Sequence, residues 1–101
     1  MSGYVKQVKY TEVFDGQTVE IVMAPLLVED IVQIRSAGAG SAAFLSAIGP
    51  VLKKRITSMT PITDAEGKEV PLDEVLSVAY FSKLVVNAGV ELVKRGSPTN
   101  P

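Results

Sequence analysis

The stretch from Leu72 to Gly96 most limits what this chain can become. Asp73 and Glu74 follow Pro71 at its start, Lys94 and Arg95 lie at its end, and Gly96 and Pro98 come next. Start signal, dipole compensation and stop signal therefore agree on one long helix over 72–95. Lys83 is the only charge between Glu74 and Glu91. At about 100° per residue, Val75, Ala79, Val86, Val90 and Val93 form one apolar stripe; Phe81, Val85, Ala88 and Leu92 form a second, nearly opposite. A helix apolar on two sides calls for two burial partners. One is the rest of the domain, and the other is a second subunit or a different protein.

The remainder of the chain is short. Its 101 residues suffice for one core, so residues 1–96 read as a single domain and 97–101 as a disordered tail. A hydrophobic content of 47% and a mean hydropathy of +0.26 leave apolar surface over once that core is filled. The net charge of −1 provides no basic field for nucleic-acid phosphates. The sequence has neither cysteine nor histidine, which excludes disulfides, thiolate chemistry, zinc fingers and imidazole catalysis. Absence of disulfides fits a reducing compartment, and Met1 to Lys6 carries no apolar signal core, so the expected location is cytoplasmic.

From Tyr4 to Met23 the period is two. Val8, Tyr10, Glu12 and Phe14 alternate with Lys9, Thr11 and Val13, and beyond Asp15-Gly16 the apolar positions Val19, Ile21 and Met23 continue the pattern. Asp-Gly supplies the two positive-φ positions of a tight turn, so 4–23 reads as a β-hairpin. Asp15 is then a turn former rather than an acid catalyst. Pro25 closes the second strand, and a helix over about 26–36 begins with Glu29 and Asp30 near its N-terminus. Adjacent helical residues point about 100° apart, so the two acids answer the helix dipole better than they would flank a substrate.

Ser36 to Leu52 carries no charge. Gly38-Ala39-Gly40 follows a helix rather than a strand and lacks a Walker lysine, which argues against a nucleotide loop; the run is also too short and too glycine-rich to cross a membrane. It reads as a hinge, an N-cap at Ser41 and a helix over about 41–56 that buries Ala42, Leu45, Ile48 and Leu52 and is open to a kink at Gly49-Pro50. Lys53-Lys54-Arg55 then compensates the dipole from solvent. Asp64 to Lys68 marks a turn between Ile62 and Val70, within a small second hairpin or an ordered loop. The fold class is α+β, an N-terminal β-hairpin followed by a mainly helical domain with a long C-terminal helix.

No catalytic, cofactor-binding or metal-binding residues emerge. Local structure explains nearly all the acids, no Asp-x-Asp-x-Asp alternation offers a carboxylate metal site, and the serines have no histidine to activate them. The expectation is a protein that is not an enzyme.

The run Val13-Phe14-Asp15-Gly16-Gln17-Thr18-Val19-Glu20-Ile21, then Ala24-Pro25-Leu26 and the acidic helix start at Glu29-Asp30, resembles the opening of the tail assembly chaperones of long-tailed bacteriophages. The similarity covers about the first third in pattern and the rest only in size and helical, hydrophobic character. It implies a chaperone that self-associates in the host cytoplasm and coats the apolar, helical tape-measure protein, with neither nucleic acid nor membrane as partner. On that reading the protein-binding residues are Val75, Val78, Phe81, Val85 and Leu92, with Phe44 and Leu45 beside them. Two other roles fit the same features: a small structural subunit of a phage particle that adds its hairpin edge to neighbours, and a small inhibitor of one host protein.

Overall fold

A computed structural model describes residues 4–96. The expected disordered tail lies outside the described residues. Strand β1 (Val8–Phe14) and strand β2 (Gln17–Met23) form the anticipated antiparallel hairpin, from Val8↔Met23 to Phe14↔Gln17. Asp15 (φ +51°) and Gly16 (φ +74°) make its turn, the backbone conformation that a right-twisted two-residue hairpin requires.

A third strand, β3 (Ile56–Met59), extends this sheet in the order β1-β2-β3. It pairs antiparallel with β2 through Ile21↔Met59 and Met23↔Ile56, with a register break between Val22 and Met23. Side chains pin the junction: Glu20 N–H donates to Thr60 Oγ1 (2.9 Å) and Thr57 Oγ1–H to the Val22 carbonyl (3.2 Å). The expected second hairpin is formed by β4 (Ile62–Thr63) and β5 (Glu69–Val70). Asp64 Oδ1 organises its loop by accepting from the N–H groups of Glu66 (2.8 Å) and Lys68 (2.9 Å).

Helix α1 (Val28–Ser36) leaves the sheet after Pro25, and α2 (Ser41–Arg55) follows. Gly40, not Ser41, is the N-cap of α2; its φ of +100° suits glycine rather than a side-chain cap. The α2 helix continues through Pro50 and buries Ala47, Ile48, Val51 and Leu52. Ala42 and Leu45, expected on that buried face, are exposed.

The expected continuous helix over 72–95 is broken. Helix α3 (Leu72–Ser77) ends, Val78 is extended (φ −88°, ψ 131°), a 3-10 turn spans Ala79–Phe81, and α4 (Ser82–Gly96) carries on. Val75 and Phe81 explain why. Six positions apart, they would point about 120° apart on an unbroken helix, yet both are buried in one core. The Ser77 hydroxyl helps end α3 by donating to the Asp73 carbonyl (2.7 Å).

The core gathers Val8, Val19, Ile21 and Met23 of the sheet, Ile48, Val51 and Leu52 of α2, and Leu84, Val85, Ala88 and Leu92 of α4. Helices α2 and α4 meet closely where Gly89 faces Ile48; a Cβ there would lie 2.4 Å from Ile48 Cγ1. Among the described residues, no helix is long and apolar enough to cross a membrane.

Candidate functional site

The break at Val78 borders a concave seam. Two shallow depressions run along the seam between α2 and the α3–α4 segment, with Leu45 and Ser82 lining both. The first, about 340 Å³, has Ala42, Lys83 and Val86 on its walls. The second, about 360 Å³, is bounded by Leu76, Val78, Ala79 and Val85. Small side chains at Ala42, Ala79 and Ser82 keep the seam open, while Leu45 (37% exposed) and Val78 (42% exposed) stand at its rim. No carboxylate lines either depression, and the described residues contain no cluster of acids that could hold a metal ion. This seam offers apolar contact, a few hydroxyls and, in the first depression, Lys83 and Asn87.

The residues expected to bind protein divide between this seam and the core. Leu45 and Val78 are brought together at the seam, and buried Val85 contributes to its wall. Val75, Phe81 and Leu92 are core residues and offer no binding surface. Phe44 is half-buried against the same core. The stripe of Phe81, Val85, Ala88 and Leu92 is thus the domain's own packing face, and the partly open side of α4 carries Val86 and Val90. Ala42, Ala79, Ser82 and Val86 were missed as lining residues. Ala79 and Val86 already belonged to the other apolar stripe; Ala42 was read as part of the buried face of α2, and Ser82 carries no sequence signal beyond being small.

Two polar clusters flank the sheet. Glu12 Oε1 accepts from Asn87 Nδ2–H (2.9 Å) and from the Tyr10 hydroxyl, tying β1 to α4. Burial first, then the hydrogen bond to Glu12 and its charge, push the Tyr10 hydroxyl up to about 12. At the turn, Tyr80 packs edge-on against Phe14 (centroids 5.8 Å apart) and Phe81 (5.3 Å). Its hydroxyl donates to Asp15 Oδ2, which raises the Tyr80 pKa.

Asp30 on α1 is wholly buried, facing Lys54 Nζ at 3.4 Å and Arg55 Nε at 3.5 Å. Its Oδ2 also accepts the Leu27 N–H (2.9 Å), the reaching-back half of a capping box. The basic end of α2 is therefore not simply solvated, because Arg55 turns inward to this carboxylate. No protein-family model, curated protein or solved structure gives a significant match to this chain.

Proposed function

We propose that this protein is a non-enzymatic assembly chaperone that self-associates and holds an apolar helical client along the seam between α2 and the α3–α4 segment. The supporting observation is the pairing of Leu45 and Val78, exposed side by side above small residues in a seam without carboxylates. A helix presenting apolar residues at i, i+3, i+4 and i+7 suits such a seam, since its ridge can sit between two larger side chains over small ones. The tail assembly chaperone resemblance names the client class, a tape-measure-like helical protein met in the host cytoplasm. Spare apolar surface at the rim, rather than any reacting group, is what such a role needs.

The test is light scattering over a concentration series, with and without an apolar tape-measure-like helical peptide. The expected result is a change in particle size or solubilisation of the peptide, with Leu45→Asp and Val78→Asp each weakening peptide binding by roughly tenfold or more while far-UV circular dichroism stays unchanged. Peptide binding unaffected by both substitutions would remove the seam as the site. A small structural subunit of a particle would instead give rings or tubes indifferent to the peptide.

A further inference from the structure

We infer that the free edge of β1 is a self-pairing surface, joining two copies of this chain in an antiparallel β1–β1 contact centred on Thr11. The inference rests on the self-association in the proposed function and assigns it to a surface away from the client seam. β1 is an outer strand of the β1-β2-β3 sheet. A two-residue turn closed by Phe14↔Gln17 fixes which backbone groups face β2. Residues Phe14, Glu12, Tyr10 and Val8 exchange hydrogen bonds with β2, so the N–H and C=O groups of Lys9, Thr11 and Val13 point outward. Arg95 verifies that alternation, because its Nη1 donates to the Lys9 carbonyl from outside the sheet at 3.2 Å. Among the described residues, the outward groups of Thr11 and Val13 have no partner.

The flanks of this edge are open. Tyr10, Glu12 and Phe14 are only half-buried, so α4 does not cover the strand's inner side completely. On the outer side Val13 is 68% exposed, a β-branched residue in the position a neighbouring strand would cover. The opposite edge is a poorer template: β3 has four residues, and its register with β2 is interrupted.

Charge selects the register and the occupant. A two-fold axis through Thr11 sets Thr11 against the partner's Thr11, Lys9 against the partner's Val13, and Tyr10 against the partner's Glu12. No like charges meet, and a Thr–Thr pair is a favourable cross-strand neighbour. Centring on Lys9 or on Glu12 would oppose identical charges, and centring on Tyr10 would set Glu12 opposite the partner's Val8. In the Thr11 register each copy's outward N–H groups meet the other's outward carbonyls. The Lys9 carbonyl can receive one of them while keeping Arg95, because it has two lone pairs.

The decisive experiment uses the full chain with Thr11→Lys, Thr11→Glu and an equal mixture of the two, read by light scattering over a concentration series. Wild type is expected to dimerise, and each single variant to dimerise roughly tenfold or more weakly, because like charges then face each other across the axis. The mixture is expected to recover the dimer. Circular dichroism guards against misfolding, and Thr11 is exposed with its backbone turned away from β2. A dimer insensitive to both substitutions, a mixture that fails to recover, or a wild type that stays monomeric would each overturn the inference. In any of these cases, peptide binding lost on Leu45→Asp would leave the client reading standing. A dimer that obeys the Thr11 pattern but ignores the peptide would sink the client reading alone.

Discussion

Helices α1 and α4 are fastened to the same domain in opposite ways. Along α4, Leu84, Val85, Ala88, Gly89, Leu92 and Gly96 are buried, forming a single stripe that meets the sheet and α2 through apolar shape. The one fully buried residue of α1 is a carboxylate, Asp30, held by Lys54 and Arg55; Ile34 packs half-buried against the core, while the N-cap Leu27, Val28 and Val32 remain exposed. Apolar burial is not screened by salt as charges are, and it grows with the area removed from water. An ion pair depends on its partners and is screened where one end reaches solvent, as Lys54 does. The two helices should therefore let go under different conditions, α4 only with the whole domain and α1 by itself.

The largest expected effect is on the apolar side. Leu92→Ala removes a fully buried side chain from the centre of the α4 stripe. Loss of its transfer free energy together with the cavity left behind should cost about 3 kcal/mol. Because the stripe belongs to the common core, urea should unfold the variant in one transition at a clearly lower midpoint, reported alike by circular dichroism and by tyrosine fluorescence. A variant that loses only part of its helix signal at low urea, with the rest unfolding at the wild-type midpoint, would show that α4 can detach alone and would erase the contrast.

The second effect is smaller and local. Asp30→Ala removes the acceptor of the Leu27 N–H and leaves Lys54 and Arg55 without their shared carboxylate. Amide hydrogen exchange should show α1 opening more easily by about 2 kcal/mol, with α4 protection almost unchanged. Asp30→Asn keeps an oxygen for the Leu27 N–H and loses the charge, so it should fall between. Added salt should loosen α1 in the wild type and leave α4 alone. Equal loss of protection in both helices would mean that Asp30 supports the whole domain.

The contrast also separates what was legible in the sequence from what was not. The hairpin was readable because Asp15-Gly16 and a period of two are local signals, and the α2 span, read as about 41–56, ends within a residue of the observed Ser41–Arg55, although its cap is Gly40 rather than Ser41. Strand β3 was not: Ile56-Thr57-Ser58-Met59 has no period, and its partner lies far upstream in β2. The break at Val78 was hidden because helix propensity and end signals run across it, and only the need to bury Val75 and Phe81 together forces it. The same break moved the candidate site. Val75, Phe81 and Leu92 look available on a straight helix and are buried by the break, whereas Leu45, read both as part of the α2 core face and as a secondary binding candidate, stays at the surface. Asp30 was read as answering the dipole of its own first turn, which it does, but its pairing with Arg55 spans two helices and leaves no mark in local pattern.

The smallest effect concerns the polar fringe of α4, where Asn87 and Tyr10 share Glu12. Unlike the α1 tie, it joins a carboxylate to neutral donors at neutral pH. Below about pH 10, the ordinary tyrosine value, the Tyr10 hydroxyl is protonated in both folded and unfolded chains, and its contribution is complete. Above that the unfolded chain releases the proton while the folded chain, pushed up to about 12, retains it. The unfolded state then binds fewer protons, so stability falls as pH rises through this window. Tyr10→Phe should remove that part of the alkaline loss, measured as the pH dependence of the urea midpoint. Glu12→Gln should remove only a fraction, since burial is the larger cause and the glutamine oxygen can still accept from Asn87. If Tyr10→Phe and wild type lose stability in parallel from about pH 10 to about pH 12, Tyr10 is not held in its neutral form by folding. If instead the slopes differ and salt leaves the difference unchanged, burial beneath α4 rather than the Glu12 charge holds Tyr10 neutral, a contribution that, unlike the α1 tie, does not depend on pairing opposite charges.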